Sequence, residues 1–160
     1  MGVIAVDTER KSSLPPAKLF KAFFVDSDCK VLKALPNAII KNVEILQGNG
    51  GAGTIKSVHF NEGFPVKNIK HRVEELDKDN MIYKYSIVDG ETLMPGIESA
   101  SYVIKIEPSG TGSVCKQHTT FYTKADSNIN QEEIKASNEE IAKMFNFKDV
   151  EAYVLANPNY

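Results

Sequence analysis

The side chains that most often perform acid–base chemistry are few in this chain and widely spaced. Glu98, Glu151 and Tyr153, together with Lys56, form the one set that could supply a general acid and a general base. Such chemistry needs both groups at the same bond, and the spacing of these residues does not indicate that they meet. Solvated surface charges are the competing interpretation, and we favour it.

The histidines and cysteines follow no metal-binding or hydrolase pattern. No histidine pair is spaced i, i+4, and neither an HExxH nor a G-x-S-x-G motif occurs. Cys29 and Cys115 each lack a second Cys or His at metal-ligand spacing, so we expect no metal site and no cofactor. His71 lies in an apolar stretch, and two interpretations stay open: a polar group inside an apolar pocket, or a residue on the surface of a strand.

A glycine-rich segment over residues 48–53, GNGGAG, matches the dinucleotide-binding pattern G-x-G-x-x-G. That pattern needs a helix after the glycines, whereas TIKSVHF follows here and is typical of a strand. The acidic residue expected about twenty positions later is also missing. The segment is therefore a rigid hairpin loop or a nest of N–H groups for an anion, and we favour the hairpin loop.

Length and composition narrow the class of protein. The 160 residues suit one domain, and 42% apolar with 25% charged residues is close to the globular average. A net charge of −2 gives no overall attraction for nucleic acid or an anionic membrane. The opening MGVIAVDTERKSS has no apolar run long enough for a signal peptide, and no window suits a membrane span. We expect a reduced, cytoplasmic protein.

The elements that must position these residues are mostly strands. Period-two patterns and turn residues predict strands at 3–11, 40–46, 54–60, 66–76, 81–88, 97–106 and 113–122. Their short connections favour an antiparallel sheet. Helices are predicted at 17–24, at about 27–34 and at 131–157, the last capped by Asn128 or Asn130. The first of them places Leu19, Phe20, Phe23 and Phe24 on one apolar face. Its apolar stripe slips near Asn146-Phe147, which predicts a bend or wide turn there.

These dimensions leave room for a cavity. Seven strands of about eight residues make a sheet of roughly 34 Å by 26 Å, whereas one helix covers a stripe about 10 Å wide. The sheet must therefore curl around the helix, and the space between can stay hollow or be filled by Phe and Tyr side chains. Tyr83, Tyr85 and Tyr102 suit either outcome, because a buried tyrosine needs a hydroxyl partner in both.

The chain resembles the plant pathogenesis-related class ten proteins, the family of the major birch-pollen allergen. Beyond the glycine-rich segment, the resemblance rests on MGV at 1–3, LFKAF at 19–23, VKNIKHRV at 66–73, YKYSI at 83–87, YTK at 122–124 and VEAY at 150–153. It covers nearly the whole chain. Departures are Ala52 and Ala125, where the family has proline and glycine, and two apparent extra residues near Asn146-Phe147.

The resemblance implies an α+β fold over residues 1–160, a single ligand-binding domain. A seven-stranded curved antiparallel sheet is wrapped on a long C-terminal helix, with two short helices, and encloses a cavity in a START-like helix-grip arrangement. It implies a defence-linked, monomeric binder of small amphipathic ligands, such as flavonoids, cytokinins, sterols or fatty acids, with no specific nucleic acid and no membrane as partner. The implied lining residues are Phe23, Leu32, Phe60, Val66, His71, Tyr83, Tyr85, Tyr102, Ile104 and Ile141.

The resemblance also implies two alternative activities. Several family members are described as weak ribonucleases, and the residues held responsible match Lys56, Glu98, Glu151 and Tyr153. A related branch condenses amines with aldehydes to make alkaloids, and its lysine matches Lys116. Our leading hypothesis is a non-enzymatic carrier, with a weak ribonuclease or a metabolite-condensing enzyme as the alternative.

Overall fold

A computed structural model describes residues 2–25, 40–63, 66–90, 96–125, 128–144 and 147–157. Seven strands form one antiparallel sheet in the order β1-β7-β6-β5-β4-β3-β2. The strands are β1 (Val3–Ser12), β2 (Ile40–Gln47), β3 (Ile55–Phe60), β4 (Asn68–Asp77), β5 (Ile82–Gly90), β6 (Ile97–Ser109) and β7 (Gly112–Thr123). Neighbours in the sheet are neighbours in the chain except β1 and β7, so the predicted antiparallel sheet is confirmed.

Irregular pairing gives the sheet its curvature. The register shifts within β2–β3, β4–β5 and β6–β7, for example between Val73 and Glu75 and between Ile97 and Ser99. An extra residue on one strand of a pair bends that strand and increases its twist. The seven strands therefore form a curved sheet with an inner, mostly buried face.

Local side-chain chemistry fixes the turns between the strands. At the β4–β5 turn, Asp77 Oδ1 accepts hydrogen bonds from the backbone N–H groups of Asp79 (3.1 Å) and Asn80 (3.0 Å). The Asn80 side-chain amide also donates to Asp77 Oδ2 at 2.8 Å. This side-chain bond, followed by the backbone bonds, lowers the pKa of Asp77 below its usual value. Gly110, with φ of +60°, lies in the β6–β7 turn, where only glycine adopts a left-handed conformation at little cost. Both turns lie in the gaps between strands predicted from the sequence.

The N-terminal helical segment differs from the predicted helix. Helix α1 (Pro16–Phe20) begins after Pro15 with proline in its first turn, and it continues as a π-helical turn, Lys21–Val25. The α-helix predicted to reach residue 24 therefore ends at Phe20. Widening to the π form changes the angular spacing of side chains by adding a residue to the turn. Leu19 and Phe20 are nevertheless buried as predicted. The second predicted helix, at about 27–34, lies outside the described residues.

The C-terminal helical stretch is two helices, α2 (Gln131–Met144) and α3 (Phe147–Ala156). Asn130 caps α2, because its side-chain oxygen accepts a hydrogen bond from the backbone N–H of Glu133 at 2.9 Å. Helix α3 begins at Phe147, where the apolar stripe was predicted to slip, while residues 145 and 146 lie outside the described part. Ile134 on α2 and Val150 and Val154 on α3 are fully buried. None of the described helices is both long enough and apolar enough to cross a bilayer.

The buried apolar residues of the described chain form two clusters. One joins α1, the π-helical turn and α3 to strands β2 to β7, and the other joins β1, β5, β6 and β7 to Ile134 of α2. Tyr85 is only partly buried and packs against both clusters. A single-domain core is usually one contiguous cluster, so Tyr85 marks the place where this core divides.

Candidate binding site on the inner face of the sheet

A row of aromatic side chains crosses the inner face of the sheet. Antiparallel pairing sets Tyr85 on β5 directly opposite Tyr102 on β6, and their rings stack with centroids 4.5 Å apart and planes 10° apart. Tyr83 lies 5.5 Å from Tyr85, and Phe121 on β7 meets Tyr102 edge-on at 6.4 Å. Alternation along the strands directs these rings inward, and stacked or edge-on pairs of this kind are favourable arrangements.

Lys56 and His71 place polar atoms beside this aromatic row. They are directly opposite each other on β3 and β4, and the His71 ring lies 4.8 Å from the Tyr85 ring. Lys56 is only 5% exposed, and its ammonium nitrogen lies 6.0 Å from the centre of the Tyr83 ring. Of the two positions left open for His71, the structure has the inward one.

The electrostatics of these groups follow from their depth. Burial, and then the positive charge of Lys56, lower the pKa of His71 from 6.5 to about 4, so its ring is neutral at neutral pH. Burial raises the pKa of Tyr85 and of Tyr102 far above that of an exposed phenol, so both keep their hydroxyl protons. Within the described residues, Nδ1 of His71 is fully buried and has no hydrogen-bond partner.

The other implied lining residues take the following positions. Phe60, Val66 and Ile104 are buried in the same core cluster as Tyr83, and Phe23 of the π-helical turn packs against that cluster. Leu32 lies outside the described residues. Ile141 belongs to α2, but its side chain lies outside the described part. The structure therefore brings six of these residues to the inner face of the sheet: Phe60, His71, Tyr83, Tyr85, Tyr102 and Ile104. Val66, which precedes β4, is buried in the same cluster, and Phe23 packs against it.

The four residues considered for ribonuclease chemistry occupy different surroundings. Glu98 is exposed at the β6 register shift, whereas Lys56 is buried on β3, and β5 and β4 lie between those strands. Glu151 Oε1 accepts hydrogen bonds from the Ser12 hydroxyl (2.8 Å) and the Ser13 backbone N–H (3.0 Å), joining α3 to the end of β1. Tyr153 packs against the apolar core. The described contacts of Glu151 and Tyr153 are therefore those of structural residues.

Comparison with known proteins agrees with this architecture. The family model described as "Pathogenesis-related protein Bet v 1 family" matches residues 1–157. The chain belongs to the Bet v 1 family. It is 69% identical over 160 residues, all of both chains, to "Probable intracellular pathogenesis-related protein T1" of Catharanthus roseus. It is 47% identical to "Major allergen Pru ar 1" of Prunus armeniaca, over 99% of this chain and 98% of that protein.

Two solved structures of Bet v 1 type have similar folds. The crystal structure of Ara h 8.0201 aligns with a TM-score of 0.77 at 34% identity, over 97% of this chain and 99% of that one. Norcoclaurine synthase from Thalictrum flavum aligns with a TM-score of 0.69 at 21% identity, over 96% of this chain and 87% of that one. The second likeness concerns the fold alone. The predicted family and fold class are therefore confirmed.

In this Bet v 1 chain, the glycine-rich loop uses its N–H groups for its own structure. The Gly50 N–H donates to Thr54 Oγ1 at 2.8 Å, the Gly51 N–H to Asn49 Oδ1 at 3.1 Å, and the Gly53 N–H to the Val73 carbonyl at 2.7 Å. Strand β3 follows the loop, so no helix N-terminus is available for a pyrophosphate. These contacts match the rigid hairpin loop that the sequence favours.

The lysine matched to the alkaloid-condensing branch of the family lies away from the inner face. Lys116 is exposed on β7, and its ammonium group is 2.9 Å from a Glu107 carboxylate oxygen. This ion pair raises the pKa of Lys116, which opposes its use as a neutral amine nucleophile.

Within the described part of the chain, no group of His, Cys, Asp or Glu side chains is clustered closely enough to hold a metal ion.

Two residues of the candidate site were not predicted from the sequence. Lys56 was considered only for acid–base chemistry, although Phe60 was expected to face inward and lies four positions further along the same strand. Period-two alternation gives both residues the same face and could have placed Lys56 inside. Phe24 was assigned to the apolar face of the first helix but not to the site, and its ring stacks on Tyr83 with centroids 4.8 Å apart. No signal in the sequence pairs these two rings.

Proposed function

We propose that this protein is an intracellular, non-enzymatic carrier of a small amphipathic plant metabolite or hormone, held as one domain over residues 1–160. Flavonoids, cytokinins and steroid-like molecules combine ring systems with polar groups, the mixed polarity that this face would bind. The inner face offers aromatic rings for stacking and a few polar atoms for orientation, the combination typical of small-molecule sites. The link to intracellular defence is supported by the name of the Catharanthus roseus relative.

The observation that carries this proposal is the state of Tyr85 and His71. Burial by surrounding protein atoms is the main cause of the pKa shift of each residue. Each side chain nevertheless keeps some solvent-accessible surface and is only partly buried. A side chain that protein atoms surround on most sides, and that still has accessible surface, is expected to border an internal cavity. The division of the described core at Tyr85 supports the same location.

Apolar burial and aromatic stacking set an upper limit on the affinity for a ligand. Burying roughly 250 Å² of apolar ligand surface at about 25 cal/mol/Å² contributes about 6 kcal/mol before the costs of association. Stacking on the Tyr85–Tyr102 pair adds about 1 kcal/mol. Together these contributions amount to about 7 kcal/mol, which corresponds to a Kd of roughly 10 μM before the costs of association. We therefore expect a Kd of tens of micromolar or higher for an apolar ligand of two or three rings.

Titration with the neutral fluorescent probe N-phenyl-1-naphthylamine tests the proposal. We expect saturable binding, weakened roughly 2- to 10-fold in Tyr85→Ala, the loss of one aromatic stack. Tyr122→Ala is the matched control, because Tyr122 lies on β7 beside the inward-facing Phe121 and points to the other face of the sheet. Absence of saturable binding, or equal weakening in both variants, would show that the inner face is not the site.

A further inference from the structure

We propose that the polar end of this inner face, formed by Lys56 and His71, receives an anionic oxygen group of the ligand, such as a carboxylate or sulfonate. The rings of the ligand then stack beside Tyr85 and Tyr102. This inference rests on the proposed carrier function and names the chemical class of its ligand: an aromatic acid rather than an aromatic amine.

The geometry assembles the polar end from adjacent strands. Lys56 on β3 pairs directly with His71 on β4, and the His71 ring contacts Tyr85 on β5 at 4.8 Å. Tyr85 in turn stacks on Tyr102 of β6. A planar ligand lying along the tyrosines would therefore reach the lysine and the histidine with one end.

The hydrogen-bonding capacity at this end consists largely of donors. A lysine ammonium group has three N–H donors and no acceptor, and a tyrosine hydroxyl that keeps its proton is also a donor. Burial keeps the Tyr85 and Tyr102 hydroxyls protonated. Nδ1 of His71 is buried without a partner in the described residues, and its N–H tautomer would donate to a ligand oxygen. A carboxylate or sulfonate supplies only acceptors, so it complements this set.

Charge points to the same class of ligand. Lys56 lies opposite His71 in the sheet, and its positive charge opposes protonation of His71 and lowers its pKa, after the larger effect of burial. Among the described residues, the buried polar and charged side chains are Ser, Thr and Lys56, with no Asp or Glu. An anion placed near His71 is attracted by the charge of Lys56, and an ammonium group is repelled.

Three ligands of one shape test the inference at pH 7.4: 2-naphthoate, neutral 2-naphthalenemethanol and cationic 2-naphthylmethylammonium. Each competes with N-phenyl-1-naphthylamine, which carries no charge. We expect 2-naphthoate to bind at least 10-fold more tightly than the alcohol, and the ammonium compound to bind least tightly. Equal binding of acid and alcohol, or a preference for the ammonium compound, would overturn the inference.

Variants assign the preference to the named residues. Lys56→Met keeps most of the length of the side chain and removes its charge, and it is expected to reduce the preference for the acid over the alcohol to less than 3-fold. His71→Phe is expected to reduce it by a smaller factor. Lys116→Met removes an exposed lysine and should leave the preference unchanged. An unchanged preference in Lys56→Met would overturn the assignment to Lys56.

The neutral probe separates the two ideas. Retained probe affinity in Lys56→Met shows that the variant is folded and that its inner face is intact. If the probe and all three naphthalenes fail to bind the wild-type protein, the carrier function itself is wrong. If the probe binds and the naphthalenes displace it without regard to charge, the carrier function stands and only the anionic class is refuted.

Discussion

Replacement of Glu151 distinguishes a structural carboxylate from a catalytic one. Oε1 of Glu151 accepts hydrogen bonds from the Ser12 hydroxyl at 2.8 Å and from the Ser13 backbone N–H at 3.0 Å. The Ser12 oxygen itself accepts from the Leu14 backbone N–H at 3.1 Å. Glu151 therefore holds the start of the segment that leads from β1 into α1. Glu151→Ala removes both acceptor contacts, and Glu151→Gln keeps an oxygen but loses the charge.

The expected loss in the free energy of unfolding follows from the number of these hydrogen bonds and from how far they are buried. A hydrogen bond to a charged group contributes about 1.5–3 kcal/mol when it is buried, and the half-buried position of Glu151 calls for a lower value. Ser12 is 8% exposed, so its hydroxyl loses an acceptor in a nearly dry setting. We expect Glu151→Ala to lower the free energy of unfolding by about 2 kcal/mol and Glu151→Gln by about 1 kcal/mol. In a domain of this size, 2 kcal/mol corresponds to roughly 4–8 °C in Tm.

The assay combines urea unfolding with RNA cleavage on the same preparations. Glu98→Ala is the control for stability, because an exposed residue changes it by about 0.5 kcal/mol or less. Glu98→Gln and Glu151→Gln should both leave any RNA cleavage at the wild-type level, which would point to a contaminating nuclease. If Glu151→Gln abolished cleavage while remaining as stable as the wild type, the structural role of Glu151 would be refuted.

Three other perturbations follow from the described contacts. Gly48→Ala should lower the free energy of unfolding in urea by about 1–3 kcal/mol, because φ is +94° and an added Cβ would lie 2.8 Å from the Thr54 Cα. Gly51→Ala is the control, because its added Cβ meets nothing closer than 3.4 Å. Equal losses of stability in the two variants would contradict the argument. Leu19 is fully buried, so Leu19→Ala should lower the free energy of unfolding by about 2–5 kcal/mol. Leu155 is 71% exposed, so Leu155→Ala should lower it by less than about 0.5 kcal/mol. Similar decreases in Tm for the two variants would be inconsistent with this packing. Because the pKa of His71 falls from 6.5 to about 4 on folding, the unfolded chain binds more protons between these values. The contribution of His71 to stability is thus complete above pH 6.5 and is lost as the pH falls toward 4, by up to about 3 kcal/mol. His71→Gln should flatten the acid limb of stability against pH, and an unchanged limb would refute the burial of this ring.

Prediction from the sequence was most accurate for the strands. The predicted strand at 97–106 extends to Ser109, and the one at 54–60 begins one residue later, at Ile55. Such segments carry their own signal, because alternating side chains and Asp, Asn or Gly turns act within a few residues. The first helix was predicted less well. Its π-helical turn brings Phe24 onto Tyr83, a contact that depends on the position of a distant strand.

The candidate site was only partly predictable for the same reason. Tyr83 and Tyr85 share a face by alternation alone, but the partner of Tyr85 across the sheet depends on the register between β5 and β6. His71 could have faced either way, because the register shift beside it interrupts simple alternation. The sequence favoured a rigid hairpin loop over an anion-binding nest at the glycine-rich segment, and the choice depends on the partners of its N–H groups, which are Thr54, Asn49 and Val73.

The sequence by itself determined the number of strands, their antiparallel pairing, the turns and the family, because these depend on local patterns and on a combination of motifs along the whole chain. Only the tertiary structure decided that Lys56 and His71 meet on the inner face, and that Glu151 holds the end of β1. Contacts between residues far apart in the chain are set by sheet curvature and strand register, and both emerge only when all the strands pack together.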